Sequence, residues 1–313
     1  MGARDFYSYT NEITQTQRTV SGEPRKYTKK RGMMAYHAPT DLNVALDTLA
    51  GGSVSIVAGA TDWFPSRGDR AATGDILDIT RLAGLSGVSK IDGGWIIGAT
   101  ARWSDILRAE LPSFFGGLRA AAREVGSIQI QNAGTVVGNI CNASPAADGV
   151  PPLLTLDAQV RIASKNGVRS LPLHDFLKGV RQTALQPGEL VTGVFVPDQP
   201  TSARGAFLKL GSRKYLVISI AMVAAIVEMR EGRIASARIA VGACSAVAQR
   251  LYALEAALTG AAADDFAARI QPAHLASLAP ITDMRGTAEY RLSTISELCV
   301  RAVHLAIKEN ADG

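Results

Sequence analysis

The stretch IQNAGTVVGNICNASPAAD, Ile130 to Asp148, decides how this chain is read. It holds Gly134 and Gly138, a scatter of alanines, the hydroxyls of Thr135 and Ser144, and a closing carboxylate, Asp148. Such a segment is too small and polar for ordinary core, and too apolar around Val136-Val137 for a linker. Glycine and other small residues let a backbone approach a ligand closely, and successive peptide N–H groups can then converge on one anion. The segment reads as a loop lining the site of a diphosphate-bearing cofactor.

Upstream of it, Asp41 to Ala50 places Leu42, Ala45, Leu46 and Leu49 at helical spacing. The apolar run Val54–Ala58 is a strand that ends on Gly59-Ala60-Thr61-Asp62. Ile76–Ile79 and Trp95–Gly98 are further strands, and Trp103–Leu111 and Leu118–Val125 are helices. Downstream, a helix over Val150–Leu156 and strands at Ala158–Ala163 and Leu190–Val196 close the first unit. Pro197 and Pro200 then mark a boundary.

Beyond residue 200 the pattern changes. Phe207–Lys209, Ser219–Met229 and Arg233–Val241 are consecutive strands, the last two joined by a turn at Glu231-Gly232. Helices are expected over Ala248–Leu258, Ala263–Ile270 and Ala288–Lys308, the last with Leu292, Ile295, Cys299, Ala302, Val303 and Ala306 on one face. Strands followed by helices give an α+β class, with a three-stranded antiparallel sheet in the C-terminal part.

Composition bounds the setting. A chain of 313 residues has room for two domains. Its longest uncharged apolar run, Leu216–Val227, is too short to span a bilayer and reads as a strand. The polar N-terminus shows no apolar leader, and the cysteines Cys141, Cys244 and Cys299 are few and scattered. Both points give an expectation of a reducing cytoplasm and of no zinc or cluster site held by this chain alone. The formal charge of +5 is concentrated in residues 1–33, which carry seven Lys/Arg against three Asp/Glu. Those residues are expected to be a disordered basic tail, with nucleic acid or a protein partner as the alternative use of Arg25-Lys26 and Lys29-Lys30-Arg31. The expected division is therefore 1–33, 34–200 and 201–313, with the middle unit split near residue 90.

A second glycine-bearing loop, Val57-Ala58-Gly59-Ala60-Thr61-Asp62, sits where a buried strand ends. Paired with Gly134–Asn139 it would clamp a pyrophosphate from two sides. Neither loop is a GxGxxG fingerprint and no GxxxxGK[ST] occurs, so Rossmann and P-loop readings lose their main support.

VAGATDW, IQNAGTVVGNICNASPAAD and LLTLDA together resemble the FAD-binding medium subunits of molybdenum hydroxylases, the family of xanthine and carbon monoxide dehydrogenases. The resemblance continues through FLKLGSR at 207–213, Ile218-Ser219, DMRGTAEYR at 283–291 and Arg301-Ala302, so it covers roughly residues 35–309 in the right order. It implies a two-subdomain, PCMH-type FAD-binding domain, and FAD held without a covalent link. In such proteins Ala58, Gly59, Ala60, Thr61 and Asp62 meet the FAD diphosphate. Thr135, Gly138, Asn139 and Asn142 follow the diphosphate and ribityl chain. Asp148 accepts from cofactor hydroxyls, or alternatively caps the helix that follows. Leu190 or Val191 offers backbone groups to the flavin ring, and Lys209 approaches a ring carbonyl, its alternative being a surface lysine.

The resemblance also implies that no residue of this chain is catalytic in its own right. Substrate oxidation would take place at a molybdenum cofactor on a large partner subunit. Electrons would reach FAD through [2Fe–2S] clusters of a small partner and leave to NAD+, O2 or another acceptor, in a heterotrimer that is often doubled. Two other readings stay open: a stand-alone FAD-dependent oxidoreductase, and a cofactor-free interaction protein. Other residues point elsewhere. His37, His174, His274 and His304 lack metal-ligand spacing, Cys141 lacks a nearby base, and Asp283, Arg285, Glu289 and Arg291 suit an ion-pair network anchoring the last helix. Trp63 and Phe64 suit either a flavin shield or core, and Val125 stands where some relatives place a stacking aromatic.

Overall fold

Parallel pairing needs a crossover, and residues 36–78 are spent on crossovers. The computed structural model describes residues 34–70, 74–214 and 216–311. The expected basic tail, 1–33, lies outside the described residues. Strand β1 (Tyr36–His37), helix α1 (Leu42–Ala50), strand β2 (Val54–Val57), helix α2 (Trp63–Arg67) and strand β3 (Asp75–Asp78) make a three-stranded parallel sheet in the order β1-β3-β2. Asp41 caps α1, its carboxylate accepting from the N–H groups of Asn43 and Val44. The helix lays Ala45, Leu46 and Leu49 into the core beside Leu77.

An antiparallel sheet follows, built from β4 (Val88–Ile91), β5 (Gly94–Gly98) and three later strands. Between β5 and those strands lie helices α3 (Trp103–Arg108) and α4 (Gly116–Glu124). The segment expected to be one loop, Ile130–Asp148, instead holds the end of α5 (Ile128–Ala133) and the whole of α6 (Val136–Asn142). The correction has a local cause. Ser127 Oγ accepts from Ile130 N–H and Thr135 Oγ1 accepts from Gly138 N–H at 3.0 Å, so each short helix begins on a hydroxyl cap.

Helix α7 (Val150–Thr155) leads into β6 (Gln159–Ser164), β7 (Gly167–Pro172), the single turn α8 (Leu173–Phe176), the small hairpin β8 (Leu177–Gly179) with β9 (Gln182–Thr183), and β10 (Leu190–Pro197). The five-stranded order is β4-β5-β10-β6-β7. Strands β1, β4, β7, β8 and β9 are additions to the sequence reading. They are short or, like β7, exposed along nearly their whole length, so they carry little apolar signal.

The last part is β11 (Ala203–Leu210), β12 (Ala221–Arg230), β13 (Arg233–Gly242), a two-residue β14 (Gln249–Arg250), α9 (Tyr252–Leu258) and the long α10 (Ala288–Ala311). The sheet thus has four strands rather than three, the fourth too short to show as a pattern. Glu231 and Gly232 both take positive φ, as a tight hairpin turn between β12 and β13 requires. The segment expected to be helical over Ala263–Ile270 is reduced to a 3₁₀ turn, Phe266–Arg269. The expected helix over Ala248–Leu258 starts only at Tyr252, because Gln249 and Arg250 are taken into the sheet.

Strand β12 is buried on both faces. One face packs on Ile295, Cys299, Ala302, Val303 and Ala306 of α10, while Leu292, expected on that stripe, is 37% exposed. The other face meets the N-terminal half of the chain: Phe207, Met222 and Ala224 pack with Ala121 of α4. Two glycines permit the approach there. A Cβ on Gly205 would stand 2.5 Å from the Phe114 carbonyl oxygen, and one on Gly117 2.9 Å from that of Ala206. Among the described residues no helix is long and apolar enough to cross a membrane.

Candidate cofactor site

The two glycine-bearing segments meet. A Cβ on Gly59 would lie 2.0 Å from the Ala133 carbonyl oxygen and 2.8 Å from Gly134 Cα, so only glycine at 59 lets the β2–α2 turn press against the end of α5. Thr61 Oγ1 is 3.1 Å from the position a Cβ on Gly134 would take. The next residue in the turn, Ala60, holds φ of +54°, a left-handed conformation that costs an L-residue about 1–2 kcal/mol. That strain turns successive amides the same way. Among the described residues the backbone N–H groups of Gly59, Ala60, Thr61 and Asp62 find no protein acceptor, and neither do those of Thr135 and Val137. Buried or half-buried amides are normally paired, so a concentration of free ones is a donor set waiting for an anion.

These amides open onto a cleft of ≈ 360 Å³. Ala58, Gly59, Ala60, Thr61 and Asp62 border it on one side, and Thr135, Gly138, Asn139 and Asn142 on the other. Leu190 and Val191 border it too, delivered by the first residues of β10. Side chains that sequence reading left out also line it: Trp103, Val137, Leu185 and Ser66. Of the residues weighed as flavin shields, Trp63 and Val125 border the cleft, whereas Phe64 points out at 66% exposure.

Both asparagines at the cleft are oriented from behind. Asn139 Oδ1 accepts from Gly149 N–H at 3.3 Å, which leaves its amide nitrogen to donate. Asn142 Oδ1 accepts from the Arg181 guanidinium, and the Arg181 N–H closes on Ala143 O at 2.9 Å just past the end of α6. The N–H of Gly138 is already spent on Thr135, so what this glycine contributes is its missing Cβ, which would stand 2.6 Å from Thr135 Oγ1. Glu189, just before Leu190, is held by Arg169 through paired contacts of 2.7 Å. Cys141 borders the cleft, but burial pushes its thiol up to about 12, far from a nucleophile at neutral pH.

Asp148 and Lys209 lie outside this lining and are bonded to each other. Lys209 Nζ donates to Asp148 Oδ2 at 2.7 Å and to the Glu124 carbonyl at 3.3 Å, and Ser219 Oγ donates to Asp148 Oδ1 at 2.6 Å. Both charged side chains are almost fully buried. Burial pushes the Asp148 carboxyl above the usual carboxylate range, while Lys209 and Ser219 pull it back. The cap alternative for Asp148 is not what the fold uses, because Gly149 stands at the cap of α7. Asp283 pairs with Arg291 at 2.7 Å and with Arg285 at 3.0 Å at the start of α10; among the described residues no ion pair includes Glu289.

Two glycine turns pressed together over a cleft of amides without protein acceptors make an anion-binding arrangement that is not the glycine-rich turn of a Rossmann fold. Residues 30–199 match the FAD binding domain in molybdopterin dehydrogenase, and residues 206–306 match the CO dehydrogenase flavoprotein C-terminal domain. The chain belongs to the FAD-binding subunits of the molybdenum hydroxylase family. It is 31% identical to the carbon monoxide dehydrogenase medium chain of Afipia carboxidovorans over 88% of its own length and 97% of that protein. It is 36% identical to the nicotinate dehydrogenase FAD-subunit of Eubacterium barkeri, over 53% of this chain and 58% of that one. Its fold superposes on a chain of quinoline 2-oxidoreductase from Pseudomonas putida 86 with a TM-score of 0.80 at 26% identity, covering 90% of this chain and 99% of that one. The site fits the diphosphate of FAD on its own chemistry. It offers neutral N–H donors from two sides, held in place by a turn apposition that a Cβ at 59 would break and by a Thr135 cap that a Cβ at 138 would crowd.

Proposed function

We propose that this chain holds FAD as the electron relay of a three-subunit complex. The observation that carries the reading is the apposition of two turns whose amides lack protein acceptors. The turn Ala58–Asp62 gives its N–H groups, with the Thr61 hydroxyl, to the diphosphate. Thr135, Gly138, Asn139 and Asn142 follow the diphosphate and the ribityl chain: Thr135 and Asn139 donate, Gly138 keeps the wall thin. Leu190 and Val191 present backbone to the flavin ring and keep water from it. Asp148 and Lys209 serve the same site from behind as a charge pair, the lysine through the Glu124 carbonyl beside Val125. Residues 34–200, divided near 90, form the cofactor-holding domain, and residues 201–313 brace it.

When bound, FAD supplies the redox chemistry, taking electrons from [2Fe–2S] clusters of a small partner and giving them to NAD+, O2 or another acceptor. Substrate oxidation belongs to a molybdenum cofactor on a large partner subunit, and the complex works in the cytoplasm. No acid–base constellation in the cleft suits a substrate reaction of its own. The test is reconstitution of the purified chain with FAD, followed by a visible spectrum. A stoichiometric flavin band is expected, and a protein that takes up none refutes the reading. Co-purification of two further subunits is the second arm, and reduction of the flavin by a small substrate without them would make this a stand-alone oxidoreductase instead.

A further inference from the structure

We propose that Ser219 is a positioning residue for the FAD site, acting through Asp148; this rests on the reading of the cleft given above. The segment Ser144–Gly149 joins α6 to α7 and carries no regular structure, so its shape is set by what grips it. Three grips come from across the domain junction. Ala243 N–H donates to the Pro145 carbonyl at 2.9 Å. Lys209 Nζ and Ser219 Oγ each take one oxygen of Asp148, at 2.7 and 2.6 Å. A fourth grip is local and faces the cleft: Gly149 N–H donates to Asn139 Oδ1 at 3.3 Å.

Ser219 is itself fixed. It is 2% exposed and precedes Ile220, whose carbonyl accepts from the Arg291 guanidinium. The same guanidinium donates to the Ala243 carbonyl at 3.0 Å. Arg291 thus ties Ala243, which grips Pro145, to Ile220, the neighbour of Ser219, and Asp283 holds Arg291 in turn at 2.7 Å. The chain of contacts runs from α10 through Ser219 to Asp148, and from there by Lys209 to the Glu124 carbonyl next to Val125, and by Gly149 to Asn139. Val125 and Asn139 both border the cleft.

A buried carboxylate with one oxygen left dry is unfavourable, and a second donor also fixes its rotation. Lys209 satisfies Oδ2 only. Without the Ser219 hydroxyl, Asp148 is free to turn, and both the lysine and Gly149 lose their reference point. Ser219 touches no part of the cleft, so its effect on FAD must pass through the carboxylate.

The experiment is a double-mutant cycle on the full-length chain, reading FAD affinity of the apoprotein by fluorescence titration and the midpoint potential of the bound flavin. Ser219→Ala is expected to weaken FAD binding about tenfold, the size of one lost hydrogen bond to a charged group. It should move the potential in the same direction as Asp148→Asn. In the Asp148→Asn background, Ser219→Ala should change neither quantity further. Ser219→Cys keeps the volume and a weak donor and should lose less than Ala, and it replaces Ala in the cycle if Ala does not fold. Wild-type affinity and potential in the serine variants, or losses that add to those of Asp148→Asn, overturn the proposal. Failure of the wild-type chain itself to bind FAD refutes the functional reading and leaves the cycle without a ligand to read, so the two failures are distinct.

Discussion

Lys209 Nζ and Asp148 Oδ2 stand 2.7 Å apart across the junction between the strand sheet β11–β14 and the segment that follows α6, and both side chains are shielded from water. Such a pair is not a strong source of net stability, because removing two charges from water offsets most of their attraction. Breaking it is another matter. The survivor is left charged, buried and unpaired.

Lys209→Ala should therefore destabilise the chain by about 3–5 kcal/mol at neutral pH, measured by urea denaturation. Burial already raises the Asp148 carboxyl in the folded state, and Lys209 is one of the groups that lower it. Without the lysine the folded value rises further above the unfolded one, so burying the charged form costs most above the folded value. The loss should shrink as pH falls and Asp148 takes up a proton. The double variant Lys209→Met with Asp148→Asn should recover most of the stability. A loss in Lys209→Ala that does not change with pH would mean that Asp148 does not stay buried.

Gly59→Ala probes the contact between the two turns. Its new Cβ would meet backbone, the Ala133 carbonyl, at 2.0 Å, and backbone cannot swing aside as a long side chain can. The turns must part, and overpacking of this kind costs about 1–3 kcal/mol. FAD uptake should be lost while far-ultraviolet circular dichroism stays close to wild type. Retained stoichiometric flavin in this variant would place the diphosphate elsewhere.

Much of this architecture was legible in the residues. Strands β2, β3, β5, β6 and β10 to β13 show as apolar runs bounded by turn residues, and the two glycine turns could be paired before any geometry was known. The helices inside Ile130–Asp148 were not, because they run for only six and seven residues and their starts are single hydroxyls, Ser127 and Thr135, indistinguishable in sequence from loop polar residues. Asp148 and Lys209 could be singled out, but not that they meet, since sixty-one residues separate them and no local spacing encodes a contact across domains. In the sequence Ser219 stands only at the start of an apolar strand. Its neighbours are apolar, and nothing but the fold shows where its hydroxyl goes.

Gly205→Val tests whether the C-terminal sheet needs the close approach of the FAD-binding half. The Cβ would sit 2.5 Å from the Phe114 carbonyl oxygen and the branches closer still. The expected result is a loss of about 1–3 kcal/mol or more in global stability, together with weakened FAD binding, because α4 would be pushed off β11 and Glu124 away from Lys209. Normal FAD affinity in a destabilised protein would show that the brace and the site are independent.

The start of β10 is pinned by a pair that titrates. Arg169 donates through Nε and Nη2 to Glu189 at 2.7 Å each, and the hydrogen bonds from Arg169, joined by the Gln186 N–H, hold the Glu189 carboxyl below its usual 4.5. A carboxylate with a lowered folded value stabilises the fold above its unfolded value, and that contribution is lost as pH falls through the folded one. Arg169 is partly exposed, so solvent screening limits the whole effect to under about 1 kcal/mol. Wild type and Glu189→Gln should thus differ by that small margin in thermal stability above pH about 5 and converge only as pH falls through the lowered folded value of Glu189. Because Leu190 and Val191 follow directly and border the cleft, the same substitution should raise the rate of FAD dissociation at neutral pH, but not in acid, where wild-type Glu189 is itself uncharged. Equal dissociation rates across that range would free β10 from any part in holding the flavin ring.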